Sequence, residues 1–170
     1  SSRVWTETTD SSGRIHIDLP HSGTLLIEEL EAPSGYVIGE ISTHEVVVQK
    51  GEDKEIAISN DKKAQIIVTK RDNQTGQPLQ GAVIKATLLR SHTEPYESGL
   101  VYTRTTGPDG SICWEGLEPG VYSLQEVSTV SNHILDPTEY HVELFPGKDA
   151  TICLQNDKRP NLTIHKSDAD

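Results

Sequence analysis

The chain has 170 residues, of which 34% are apolar, and a formal net charge of −11 at pH 7. Scattered acidity of that size keeps a surface soluble and works against nucleic acid, whose phosphates call for a basic stripe. No apolar run approaches the roughly 20 residues of a membrane-spanning helix, no signal peptide opens the chain, and the absence of Met points to a piece of a longer protein.

The apolar runs are short, rich in Val, Ile, Thr and Tyr, and punctuated by Gly, Pro, Asn and Asp, which predicts an all-β protein. Taken in chain order, "GTLLIEEL" places Leu25, Ile27 and Glu29 on one strand face, and "EIAISN" does the same for Ile56, Ile58 and Asn60. Next comes "AQIIVTKRD" (64–72), in which Ile66, Val68 and Lys70 share a face. Turn clusters follow at "DNQTGQPLQG", "GPDG", "LEPG" and "FPGKD". Between them, "VYSLQEV" aligns Tyr122, Leu124 and Glu126, and "TICLQN" aligns Ile152, Leu154 and Asn156. Near the end, "LTIHKSD" repeats the lysine pattern with Leu162, Ile164 and Lys166.

These recurrences are one long repeat. "VWTETTDSSGRIHIDLPHSGTLLIEEL" lies without a gap over "VYTRTTGPDGSICWEGLEPGVYSLQEV" at an offset of 97 residues, which sets Glu29 on Glu126. At an offset of 96, "GEDKEIAISNDK" lies over "GKDATICLQNDK", which sets Asn60 on Asn156 and, further on, Lys70 on Lys166. A period near a hundred residues suits tandem β-sandwich domains and is too long for a solenoid. It phases the chain into residues 1–63, the later part of one unit; residues 64–159, a whole unit of about seven strands; and residues 160–170, the opening strand of another. The junctions "NDKKAQI" and "NDKRPNL" are short and polar, which favours stiff stacking over a flexible string.

A buried unpaired charge costs several kcal/mol, so a lysine, a glutamate and an asparagine on apolar faces call for mutual compensation. For Lys70 the plain alternative is a strand-end side chain snorkelling to water. The chemical alternative is attack by the amine of Lys70 on the side-chain carbonyl of Asn156, with Glu126 moving the protons and ammonia leaving. Without that bond the trio would form a hydrogen-bonded polar cluster. Cys113 and Cys153 lack metal or redox spacing, and one cross-sheet disulfide or two free thiols are both open. The seven histidines are scattered without metal spacing and read as solvated.

In "IVTKRDNQTGQPLQGAV", "GSICWEGLEPGVYSLQEV", "LQNDK" and, in the preceding unit, "LIEELEAPSGY", the sequence resembles the Cna B-type (SpaA-type) repeat domains of Gram-positive surface adhesins and pilins. The resemblance covers essentially the whole chain. It implies Ig-like, prealbumin-like β-sandwich domains in tandem, on a bacterial cell surface, attached to the wall through regions outside these residues. It implies that Lys70 and Asn156 join in an isopeptide bond with Glu126 as proton-transfer residue, that Glu29 is the equivalent glutamate of the first unit, and that Asn60 and Lys166 lack partners within their own units. No cofactor or metal is implied, and chemistry is limited to a single autocatalytic turnover. The expected role is a structural stalk or shaft segment whose partners are neighbouring domains of the same surface protein. The competing role is a module binding a host protein or glycan through loops such as "LLRSHTEPYESGLVY". Strand exchange between chains through residues 160–170, bringing Lys166 beside Asn60 of a second copy, is a further expectation. The segment "VSTVSNHIL" after Glu126 departs from "LEAPSGY" and changes a loop beside the site.

Overall fold

The computed structural model describes residues 3–39, 41–92 and 99–167. Eleven β-strands and no helix form among them, so none of these residues lies in a helix able to cross a membrane. The chain divides into two compact units.

The first unit comprises residues 1–30 and 41–58. Its ordered pairing is an antiparallel ladder of β1 (Gly23–Glu28) and β3 (Thr43–Val48), with Leu25 opposite Val46 and Ile27 opposite His44. Leu25, Ile27 and Glu29 are half-buried on one face, as their alternation predicts. Residues 10–14 form a turn in which the Asp10 carboxylate accepts the backbone N–H groups of Ser12 (2.8 Å) and Arg14 (3.0 Å).

The second unit comprises residues 31–40 and 59–170. Here β2 (Tyr36–Val37) pairs with β4 (Asp61–Lys62), and the Lys63 N–H donates to Gly35 O at 2.9 Å. Residues 31–39 and 59–63 make most of their contacts within this compact unit. Seven strands then build two sheets. One has the order β10 (Glu139–Leu144), β9 (Gly120–Ser128), β6 (Val83–Ser91), β7 (Val101–Thr105). The other has the order β11 (Ala150–Asn156), β5 (Ala64–Asp72), β8 (Ser111–Leu117).

Period-two alternation explains the core. On β5 every even-numbered residue from Ala64 to Asp72 is buried and every odd one is partly exposed, so one face is dry and the other wet. Ile66, Val68, Ile84, Ala86, Leu88, Trp114, Tyr122, Leu124, Leu144 and Leu154 meet between the sheets. The Tyr122 hydroxyl, carried inside by its ring, donates to Glu118 O at 2.8 Å. Tyr102, read from sequence as part of an exposed binding loop, instead packs against this core; residues 93–98 of that loop lie outside the described residues.

The strand that starts the sandwich, β5, runs parallel to the strand that ends it, β11, with Val68 opposite Ile152 and Lys70 opposite Leu154. Parallel neighbours place the entry at Ala64 and the exit after Asn156 at opposite ends of one sheet. Cys113 on β8 and Cys153 on β11 flank β5 on opposite sides and are free. Two strand spacings put them about 10 Å apart, beyond the reach of a disulfide. Residues 160–167, expected as an opening strand, pair with no strand of the described chain, and Leu162 and Ile164 stand in solvent.

Gly110 closes the "GPDG" turn at φ +74°, and a Cβ there would sit 2.5 Å from the carbonyl oxygen of Lys70. Gly76, at φ +72°, has open space around it. Gly110→Ala therefore combines a left-handed backbone with a clash, and we expect it to destabilise by about 3 kcal/mol in chemical denaturation, against about 1 kcal/mol for Gly76→Ala. Equal costs would contradict the close approach.

Candidate functional site

Three strands converge at one end of the sandwich. Lys70 arrives on the inner face of β5, Asn156 on that of β11, two residues beyond the register partner of Lys70, and Glu126 on that of β9 in the facing sheet. Lys70 is 0% exposed, Asn156 2% and Glu126 7%. The snorkelling alternative for Lys70 is thereby excluded, because its ammonium stem ends among side chains and not in water.

The contacts are direct. Lys70 Nζ donates to Asn156 Oδ1 and lies 3.6 Å from Glu126 Oε1. Asn156 Nδ2 donates to Glu126 Oε1 (2.8 Å) and Oε2 (3.0 Å), and also to Thr129 Oγ1. Burial pushes the Lys70 amine below its ordinary value, opposed by the nearby carboxylates of Glu126 and Asp136. Net displacement towards the neutral form is the direction a nucleophilic amine requires.

Glu126 is held from its other side. The backbone N–H of Asp136 donates to Glu126 Oε2 at 2.8 Å, and the Asp136 carboxylate accepts the Tyr140 hydroxyl at 2.6 Å and the Thr138 N–H at 3.0 Å. The segment that departs from the family pattern, residues 127–135, thus does not leave the glutamate loose: it supplies Thr129 and leads into Asp136.

A second buried pair lies beside the trio. Asp72 continues the parity of Ile66, Val68 and Lys70, is 2% exposed, and meets His133 Nε2 at 3.0 Å. Its Oδ1 accepts the N–H groups of Gln74 (2.9 Å) and Thr75 (2.8 Å), and Lys158 Nζ lies 3.6 Å from Oδ2, the oxygen that meets His133. His133, read from sequence as a solvated histidine, is 6% exposed. It anchors a crossing of chain segments, with the Ile134 N–H on Asp157 O (2.9 Å) and the Arg159 N–H on Asn132 O (2.7 Å). Strand parity extends to Asp72, which the sequence analysis did not single out, whereas no local pattern extends to His133 or Thr129, because a loop's side-chain direction has no period.

Glu29 and Asn60 are half-buried, and Lys166 is exposed. An opening of about 430 Å³, lined by Asp136, Tyr140, Cys153, Gln155 and Asn156 among others, reaches the site from solvent.

The second unit is an all-β sandwich whose first and last strands are parallel neighbours, with a lysine, an asparagine and a glutamate meeting inside it. The model of the SpaA prealbumin-like fold domain matches residues 2–62 and again 64–158, and the chain belongs to that family, in two tandem copies. Among solved structures it is similar to the Bacillus anthracis TIE protein, with 21% identity over 81% of this chain and 25% of that one, at a TM-score of 0.53. It is also similar to the minor pilin GBS52 of Streptococcus agalactiae (21% identity, 88% of this chain and 65% of that one, TM-score 0.46). A third is the full-length major pilin SpaD of Corynebacterium diphtheriae (15% identity, 57% and 30%, TM-score 0.49). In each comparison this chain spans less than two thirds of the other's length. Among curated proteins no sequence matches it.

Hydrogen bonds from His133, Thr75 and Gln74 hold the Asp72 carboxyl well below the usual carboxylate range. A depressed folded-state value contributes stability above the unfolded value and loses it as pH falls through the folded one. Thermal melting of Asp72→Asn should therefore show a deficit against the parent at pH 7 that narrows steadily below about pH 4; a deficit independent of pH would assign the effect to something other than the Asp72 charge.

Proposed function

We propose that the chain is a stalk or shaft segment of a Gram-positive surface protein or pilus, locked within residues 64–159 by an amide bond between Lys70 and Asn156. The single observation carrying this reading is the buried contact of Lys70 Nζ with the side-chain amide of Asn156, under the carboxylate of Glu126. Membership of the SpaA family supports a place outside the cell on its surface.

The geometry suits acyl transfer. Glu126 Oε1, 3.6 Å from Lys70 Nζ, takes a proton from the ammonium and leaves a neutral amine. The amine attacks Asn156 Cγ, which gives a tetrahedral carbon. Glu126, also 2.8 Å from Nδ2, hands its proton to the departing nitrogen, which leaves as ammonia, and then takes the extra proton from the attacking nitrogen and passes it to that ammonia. The new C–N bond replaces the old one, and the ammonium of Lys70 plus the amide of Asn156 become a secondary amide and an ammonium ion. Side chains locked by sheet packing supply the effective molarity that makes an amide a usable electrophile. The opening beside Asn156 gives ammonia a route out. Glu126 ends as it began, but Lys70 and Asn156 are consumed, so the reaction turns over once.

The mechanical consequence follows from topology. Tension entering at Ala64 runs along β5 to Lys70, crosses the amide to Asn156 and leaves, so residues 71–155 carry none of it. Short polar junctions such as "NDKK" transmit that tension to neighbouring domains of the same protein.

The intact mass of the purified, reduced chain tests the bond. We expect a deficit of about 17 Da, one ammonia, absent from Glu126→Gln and Asn156→Ala; the full calculated mass in the parent would overturn the proposal. By loop closure over a separation of 86 residues, the link should stabilise the unit by about 4–5 kcal/mol, measured as the midpoint difference between the parent and Glu126→Gln.

A further inference from the structure

The Asn156 amide can face Lys70 in two ways, and only one presents its carbonyl oxygen to the lysine. Nδ2 carries two hydrogens. One is taken by the Glu126 carboxylate, whose oxygens lie 2.8 and 3.0 Å away. The other is taken by Thr129 Oγ1. With both hydrogens claimed on that side, Oδ1 is turned towards Lys70 Nζ, where the structure shows it. Were the amide reversed, Oδ1 would face the carboxylate, and Nδ2 would face the ammonium, a donor against a donor. Glu126 alone leaves one hydrogen unclaimed, and a buried amide hydrogen without an acceptor costs a substantial part of a hydrogen bond.

The geometry points to Thr129 as a positioning residue for the cross-linking reaction, its hydroxyl oxygen fixing the Asn156 amide with the carbonyl towards Lys70. This inference rests on the acyl-transfer reading above. Thr129 is half-buried on the chain just past β9, three residues after Glu126, so one segment delivers both acceptors for Nδ2. At the repeat offset of 97 residues, Ala32 stands where Thr129 stands. The first copy of the repeat therefore keeps the glutamate and the asparagine but lacks this hydroxyl. Thr129 neither gives nor takes a proton in the reaction: it accepts a hydrogen bond from the nitrogen that leaves, and its contribution is orientation of the ground state.

The test follows cross-linking in time, by intact mass of the full chain sampled after a pulse of cell-free synthesis. Thr129→Val removes the acceptor and nearly keeps the volume, and we expect it to slow ammonia loss about tenfold, the loss of one buried hydrogen bond. Thr129→Ser keeps the acceptor and should react at close to the parent rate. Thr129→Ala, which reproduces Ala32, should be as slow as the valine variant. Thermal melting of Thr129→Val in a Lys70→Ala background, where no bond can form, reports the packing contribution separately. Should the valine variant fold poorly there, the alanine and serine rates carry the test. Parent-like rates in both Thr129→Val and Thr129→Ala would overturn the assignment, as would a serine variant as slow as valine, which would point to the methyl group. A parent chain that never loses ammonia would overturn the acyl-transfer reading itself, a distinct result.

Discussion

The second unit is organised around one constraint, a lysine amine placed at zero exposure on the apolar face of its first strand. Isolated there, the charge would cost several kcal/mol, and the fold answers by bringing an acceptor from the adjacent parallel strand and a carboxylate from the facing sheet. Both answers require a closed sandwich. β11 must lie beside β5 before Asn156 reaches Lys70, and the two sheets must stack before Glu126 does. The site is thus assembled only in the folded state, which restricts the proposed reaction to chains that have already found their topology.

The loop after β9 binds this arrangement together from outside. Asp136 holds Glu126, Thr129 meets Asn156, and His133 reaches across to Asp72 on β5. Residues from β5, β9, β11 and the loop therefore form two adjacent polar clusters, Lys70 with Glu126 and Asn156, and Asp72 with His133, at the end of an otherwise apolar core. A half-satisfied network of this kind would be worse than an apolar one, and here the polar atoms of Lys70, Glu126, Asn156 and Asp72 all have partners.

The sandwich and the trio were legible because strand parity is a strict code. Ile66, Val68 and Lys70 had to share a face, as did Leu124 with Glu126 and Leu154 with Asn156, and the repeat displayed each pattern twice. Asp72 obeys the same parity, but it also opens the turn cluster "DNQTGQPLQG", where polar residues are ordinary and carry no signal. His133 and Thr129 lie in a segment with no periodicity, so their inward direction depends on tertiary contacts that no local pattern carries. The same limit applies to residues 160–167. Their alternation fits a strand, but a strand exists only against a partner, and among the described residues none pairs with them.

Covalent union of the first and last strands is the central claim, and pulling on the unit reads it directly. With handles at the two ends of residues 64–158, single-molecule force extension should show no unfolding step from this unit, because the load passes from Lys70 to Asn156 and bypasses residues 71–155. A step of about 300 Å, the contour length of that segment at roughly 3.5 Å per residue, would mean that the strands are not joined and would contradict the account.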